Sequence, residues 1–194
     1  MLASTAAHCI NDLLFRARAD QLSIDVPLVL SNHEVLRDIV DFYGVPFETL
    51  PTRDAAAKAA FEERIVELVD EHDIELVVLA RYMQILSPEL CAALAGRAIN
   101  IHHSFLPGFK GANPYRQAHG RGVKLIGATA HFVTTDLDEG PIIEQDVVRV
   151  DHSYTPTQLM QLGQDEEARV LRRAVGWYAE NRVLLDGDRT IIFR

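Results

Sequence analysis

AAAKAAFEERIVELVDEHDIELVVLA, residues 55 to 80, changes its hydrophobic period halfway along. Up to Asp73 it is rich in helix formers, and Phe61, Ile65, Leu68 and Val69 recur at the spacing that lines one helix face. From Ile74 to Ala80 the run is nearly continuously apolar, as in a strand buried on both faces. A helix feeding such a strand is the repeating unit of a parallel sheet, and two weaker copies precede it. Residues 6 to 19 place Ile10, Leu13, Leu14 and Ala17 at helical spacing before the short strand PLVLSN at 27 to 32. HEVLRDIVDFYG predicts a helix that stops at Gly44, followed by VPFETLP as a strand with one proline near its start. The fold class read from this alternation is α/β: a Rossmann-like, mostly parallel sheet with helices on both faces, forming a single domain over residues 1–194.

Downstream the pattern continues and then changes. SPELCAALAG predicts a helix with Ser87 as N-cap, Pro88 at the first helical position and Gly96 just past its end, and RAINIH is a short strand. PYRQAHGRG suggests a further helix. KLIGATAHFVTT and PIIEQDVVRV read as two strands joined by the turn-like DLDEG, which would pair as an antiparallel hairpin. A long amphipathic helix from Thr155 to about Arg182 precedes two short strands about Asp186-Gly187.

Composition narrows the function classes. A formal charge of -9 with no run of Lys and Arg disfavours nucleic acid as a partner. Scattered cations such as Arg53, Arg81, Lys110, Arg116 and Lys124 leave room for a small anionic ligand. The two cysteines, Cys9 and Cys91, have neither disulfide-framework nor zinc spacing, so a reducing cytoplasm is expected. No apolar run approaches the roughly 20 residues of a membrane-spanning helix.

Chemistry is concentrated after the fifth strand, in NIHHSFLPGFKGANPY at 100 to 115. In open α/β sheets ligands gather outside the carboxyl ends of strands, where this segment falls. Strand alternation puts Asn100 and His102 on one face and sends His103 the other way. A non-titrating amide beside an imidazole suits stabilisation of an oxyanion, which also requires a base for water. Asp136, Asp138 and Glu139 crowd one turn as candidates, and spacing does not choose among them. On spacing alone the same turn reads more readily as a solvated loop. A zinc site from His102, His103, His131 and a carboxylate is disfavoured by the lack of H-x-x-x-H or H-x-x-E-H spacing. RYMQILSPEL at 81 to 90 is either core or a surface for a flat ring, Asn32-His33 reads as an N-cap or turn, and Gly111 as a point of close backbone approach.

N-I-H-H-S-F-L-P followed by G-A-T-A-H-F-V-T-T-D-L-D-E-G-P-I-I resembles the folate-dependent formyltransferases, and the two adjacent histidines resemble their deformylase branch. S-N-H at 31 to 33, L-A-R-Y-M-Q-I-L at 79 to 86 and the closing G-D-R-T-I-I-F extend the resemblance over nearly the whole chain. It implies the formyltransferase N-terminal-domain fold and hydrolysis of 10-formyltetrahydrofolate to tetrahydrofolate and formate, which supplies formate for purine synthesis. It implies no cofactor beyond the folate substrate and no metal. The catalytic set it implies is Asn100, His102 and Asp138, which selects Asp138 over Asp136. Substrate contacts are implied for Arg81, Met83, Ile85, Leu86, His103, Gly111, His131 and Thr135, with Met83 to Leu86 lining the pteridine pocket.

Glycinamide ribonucleotide formyltransferases also resemble the chain, but they carry a Gly- and Ser-rich phosphate loop where this sequence has ASTAAHC, and usually Pro in place of His103. A loop without glycine is poorly suited to closing backbone N–H groups on a phosphate, so water is the expected acceptor. Formyl transfer to that or another amine, and folate binding without turnover, are the alternatives. The family's deformylases usually have an N-terminal ACT-type domain, and MLAS falls where the family's first strand should be ending. A truncated first strand is therefore expected. The long helix and final hairpin are candidate interface elements of a homo-oligomer.

Overall fold

A computed structural model describes residues 1–104 and 114–193. Lys110 and Gly111 lie outside the described residues. Seven strands form one sheet in the order β3-β2-β1-β4-β5-β6-β7. These are β1 (Leu2–Ala3), β2 (Val29–Ser31), β3 (Phe47–Thr49), β4 (Val77–Ala80), β5 (Ala98–His102), β6 (Leu125–Phe132) and β7 (Ile142–Arg149). The first five are mutually parallel, and β6 runs antiparallel to both β5 and β7. The mostly parallel sheet with an antiparallel C-terminal part is the expected architecture.

Burial alternates along the parallel strands as a sheet covered on both faces requires. Ala3, Val29, Val78, Ala80, Ile99 and Ile101 enter one core with helices α1 (His8–Arg18), α2 (Arg37–Phe42) and α6 (Pro156–Ala179). Leu2, Leu30, Val77, Leu79 and Ala98 enter the other with α3 (Ala55–Glu71) and α4 (Pro88–Ala93). The four residues of the α3 stripe, Phe61, Ile65, Leu68 and Val69, are all buried. Local signals end the helices where the sequence places them. The Ser87 side chain accepts from Leu90 N–H with Pro88 next in line, and Thr155 and Gln158 form a reciprocal capping box at the start of α6. Gly44 and Gly96 both adopt φ of 74°, the left-handed conformation that ends a helix at low cost.

Helix α5 (Pro114–Arg121) follows β5, and β8 (Val183–Asp186) with β9 (Arg189–Ile192) forms a separate two-stranded hairpin. A cavity of about 700 Å³ opens among Leu28, Leu76, Val77 and Tyr178 at the amino ends of β2 and β4. That is the end of the sheet opposite the histidines. Among the described residues no helix is long and apolar enough to cross a membrane.

Candidate active site

The carboxyl ends of β1, β2, β3 and β4 are tied together by short polar links. Ser4, just after β1, donates to Asn32 Oδ1 at 2.7 Å and accepts from the Met83 backbone N–H at 3.1 Å. Asn32, read from sequence as a cap or turn residue, in turn donates to Thr52 Oγ1 at 3.3 Å. These bonds fix where the chain leaves β4, and with it the segment 81–86. Leu86 is in the core, while Met83 and Ile85 are 57% and 61% exposed. The core and ring-surface readings of RYMQIL thus each hold for part of it.

Antiparallel register brings the reacting groups together. Asn100 lies directly opposite His131 in the β5–β6 ladder, and His102 opposite Thr129. Directly opposed residues project on the same face. The Asn100 amide reaches His131 Nε2 at 3.3 Å, and His131 Nδ1 lies 2.8 Å from the Phe132 carbonyl oxygen. Since that carbonyl can only accept, Nδ1 carries a proton, and Nε2 is left facing the Asn100 amide. His131 is 3% exposed with both ring nitrogens engaged by protein groups.

Asp138 comes from the β6–β7 turn and holds φ of 59°, a conformation that aspartate tolerates better than most residues. Its Oδ1 lies 3.2 Å from His102 Nδ1 and 3.7 Å from His131 Nε2. The contacts with His102 and then His131 outweigh burial and hold its carboxyl well below the usual carboxylate range. Asp136 and Glu139 instead serve the turn: the Asp136 carbonyl accepts from Thr134 Oγ1 at 3.0 Å and from Glu139 N–H at 3.2 Å. Thr135 is exposed. Gly140 is required by close approach, because a Cβ there would lie 1.8 Å from the Phe132 carbonyl oxygen.

His103 departs from the simple alternation. Strand β5 ends at His102, so period two no longer directs the next side chain. Instead of leaving the site, its ring stacks on that of His102, with centroids 4.8 Å apart and planes 22° apart. Arg81, at φ of 64°, directs Nη1 to His103 Nδ1 at 2.8 Å and its Nε to within 3.2 Å of Glu167 Oε2. Of the scattered cations among the described residues, Arg81 is the one placed here, whereas Arg53, Arg116 and Lys124 are exposed.

Sequence reading missed Glu167, His8 and Tyr115. Glu167 is 1% exposed and takes His8 Nε2 at 2.8 Å and the Tyr115 hydroxyl at 2.8 Å. Burial alone would push its carboxyl up, but the His8 contact, the Arg81 charge and the Tyr115 bond leave it below the usual value. A legible signal existed: Glu167 shares the buried stripe of α6 with Gly163, Val170, Leu171 and Ala174, where a carboxylate is out of place unless paired. Gly163 makes room for the Tyr115 ring, because a Cβ there would lie 2.0 Å from its hydroxyl oxygen.

His8, Cys9 and Glu167 offer ligand atoms within 4.8 Å of one another. The donor set suits a metal poorly. The Arg81 guanidinium already occupies the carboxylate, and burial with the Glu167 charge pushes the Cys9 thiol well up, away from the thiolate a metal needs.

Besides Glu167, His103 and Asp138 are lowered within the site and contribute to the acid behaviour of the fold. Burial, then the charges of Arg81 and His102, lower His103 from 6.5 to about 4. A group with a lower folded than unfolded value takes up protons on unfolding. The stability it contributes is complete above pH 6.5 and is lost on acidification toward about pH 4. Asp138 has the same sign, its contribution being lost below its ordinary value of 3.8. Urea midpoints should therefore fall between pH 7 and pH 4.5, and His103→Phe, which cannot titrate, should flatten that slope.

Comparison with known proteins places the chain in a family. The family model described as formyl transferase matches residues 1–175. A formyltetrahydrofolate deformylase from Corynebacterium sp. (strain P-1) is 51% identical over the whole chain, which covers 68% of that protein. The chain spans 62% of a Mycobacterium bovis relative of the same name. The crystal structure of a formyltetrahydrofolate deformylase from Burkholderia mallei superposes with a TM-score of 0.95 at 56% identity, covering 100% of this chain and 68% of that one. Glycinamide ribonucleotide transformylase 1 from Symbiobacterium toebii follows at a TM-score of 0.90 and 31% identity, covering 100% of this chain and 92% of that one. With a matched family model over most of its length and relatives above half identity, the chain belongs to the formyl transferase family, grouped with its formyltetrahydrofolate deformylases.

Proposed function

We propose that these 194 residues form one catalytic domain that hydrolyses 10-formyltetrahydrofolate to tetrahydrofolate and formate. The observation that carries this reading is His102. Its Nδ1 is on the Asp138 carboxylate, and its Nε2 is buried without a partner among the described residues. A buried polar atom left unpaired is costly, so it marks the place a reacting oxygen would fill. Water held at Asp138 gives its proton to the carboxylate as its oxygen bonds to the formyl carbon. The carbonyl electron pair moves onto oxygen, which takes hydrogen bonds from His102 Nε2–H and from the second N–H of the Asn100 amide. The C–N bond then breaks with its pair going to nitrogen, and Asp138 returns the proton there. A carboxyl held so low is a weak base but a strong acid, suited to that second transfer. The exposed Met83 and Ile85 would flank the flat ring of the folate.

Electrostatics favours water over a phosphorylated amine as acceptor. The amino end of α1, which could otherwise attract a phosphate, already faces the Glu167 carboxylate through His8. Formate release should proceed at the same rate with and without glycinamide ribonucleotide. Dependence on the amine, with formylated amine as product, would establish the transferase instead.

A further inference from the structure

The adjacent histidines have Nδ1 partners of opposite charge, a carboxylate for His102 and a guanidinium for His103. An arginine N–H can only donate, so a 2.8 Å contact makes His103 Nδ1 the acceptor and leaves the ring proton on Nε2. The carboxylate instead accepts from His102 Nδ1, and the donor role proposed for His102 Nε2 requires a second proton on that ring. His103 Nε2, like His102 Nε2, is buried and has no partner among the described residues.

We propose that His103 is a second imidazole donor in this site, held as the neutral Nε2–H tautomer by Arg81, and that Arg81 and Glu167 are positioning residues acting through it. The proposal rests on the deformylase reading, in which both Nε2–H groups meet the oxygen that gains charge. A neutral His103 stacked on His102 sets no like charge against that ring. The groups facing His103 are Arg81 after β4, His102 on β5, Asp138 in the β6–β7 turn and Glu167 on α6. His8 from α1 and Tyr115 from α5 hold Glu167 in turn. Burying a guanidinium beside an imidazole requires a counter-charge, which Glu167 supplies. Arg81 also keeps a left-handed backbone that few non-glycine residues adopt, a strain that the rest of the fold must offset.

The test uses the whole chain labelled with ¹⁵N-histidine, without substrate, and His103→Phe to assign the ring signals. Wild type should show His103 as the neutral Nε2–H form from pH 8 to pH 5.5. In Arg81→Gln that signal should become a tautomer mixture whose titration moves up from the wild-type position, with burial still holding it below the ordinary 6.5. Arg81→Lys, which keeps a donor and a charge, should stay close to wild type. In steady-state formate release at neutral pH, His103→Phe keeps a ring to stack on His102 but has no N–H. It should lower kcat by about 10² with KM changed less than about threefold. A His103 found as the Nδ1–H tautomer, or protonated at pH 6, overturns the lock. A locked tautomer with full kcat in His103→Phe overturns the donor role alone, whereas a wild type that releases no formate sinks the deformylase reading and the donor role together.

Discussion

His102→Ala should lower kcat for formate release by about 10²–10³ while the folate KM stays within a few-fold, the loss expected when one donor to a developing oxyanion is removed. The asymmetry between kcat and KM follows from where the donor acts. Nε2 of His102 has no partner among the described residues, so its bond forms only when an oxygen arrives and strengthens as that oxygen gains charge. Asp138→Asn should produce a loss of similar or larger size, because the amide cannot take a proton from water and no longer offers a carboxylate to His102 Nδ1 across the 3.2 Å contact. The double variant should be little worse than the more damaging single one, since the two side chains act as a unit. Stopped assays of formate with equilibrium folate binding on the same preparations decide this. Full turnover in Asp138→Asn would remove it as the base.

Gly140→Ala should be the most damaging change that touches no reacting group. The added methyl would sit 1.8 Å from the Phe132 carbonyl oxygen and 3.3 Å from His131 Nδ1. Backbone must therefore move, not a flexible side chain, and overpacking of this kind costs about 1–3 kcal/mol. For a chain of this size that corresponds to a fall in Tm of roughly 2–12 °C. Activity should fall as well. The displaced carbonyl is the acceptor that sets the His131 tautomer, and His131 in turn orients Asn100 and lies beside Asp138. A shift of 1 Å at such a position costs about 10² in rate. Gly120→Ala is the matched control: its Cβ would meet nothing within 4 Å, and an alanine inside α5 should be neutral or stabilising by about 0.5–1 kcal/mol. Equal Tm values for the two variants would refute the packing argument.

Much of the site was legible because its residues carry their own local signal. Asn100 and His102 share a strand face, and Ile99 and Ile101 alternate with them into the opposite core, as period two requires. Among Asp136, Asp138 and Glu139 no local rule chooses. Resemblance to the formyltransferases pointed to Asp138, and in the fold Asp138 is the carboxylate that reaches His102 and His131, while Asp136 and Glu139 close the turn. RYMQIL was ambiguous for a different reason. Its apolar residues divide between core and surface, and only the Ser4 bond to Met83 N–H shows where the chain turns out of the sheet.

The sequence by itself determined the alternation of helices and strands, the helix ends at Ser87 and Thr155, the antiparallel hairpin near the C-terminus and the pairing of Asn100 with His102. Each follows from periodicity or from a contact between residues a few positions apart. Only the tertiary structure decided the state of the two histidines. Asp138 reaches His102 from 36 residues downstream, and Arg81 reaches His103 from the end of another strand. Glu167, which balances Arg81, sits on a helix of the layer behind. The protonation of an imidazole depends on the charge a few ångströms from each ring nitrogen. Here that charge comes from residues that adjoin the histidines only after the sheet has formed and α6 has packed against it.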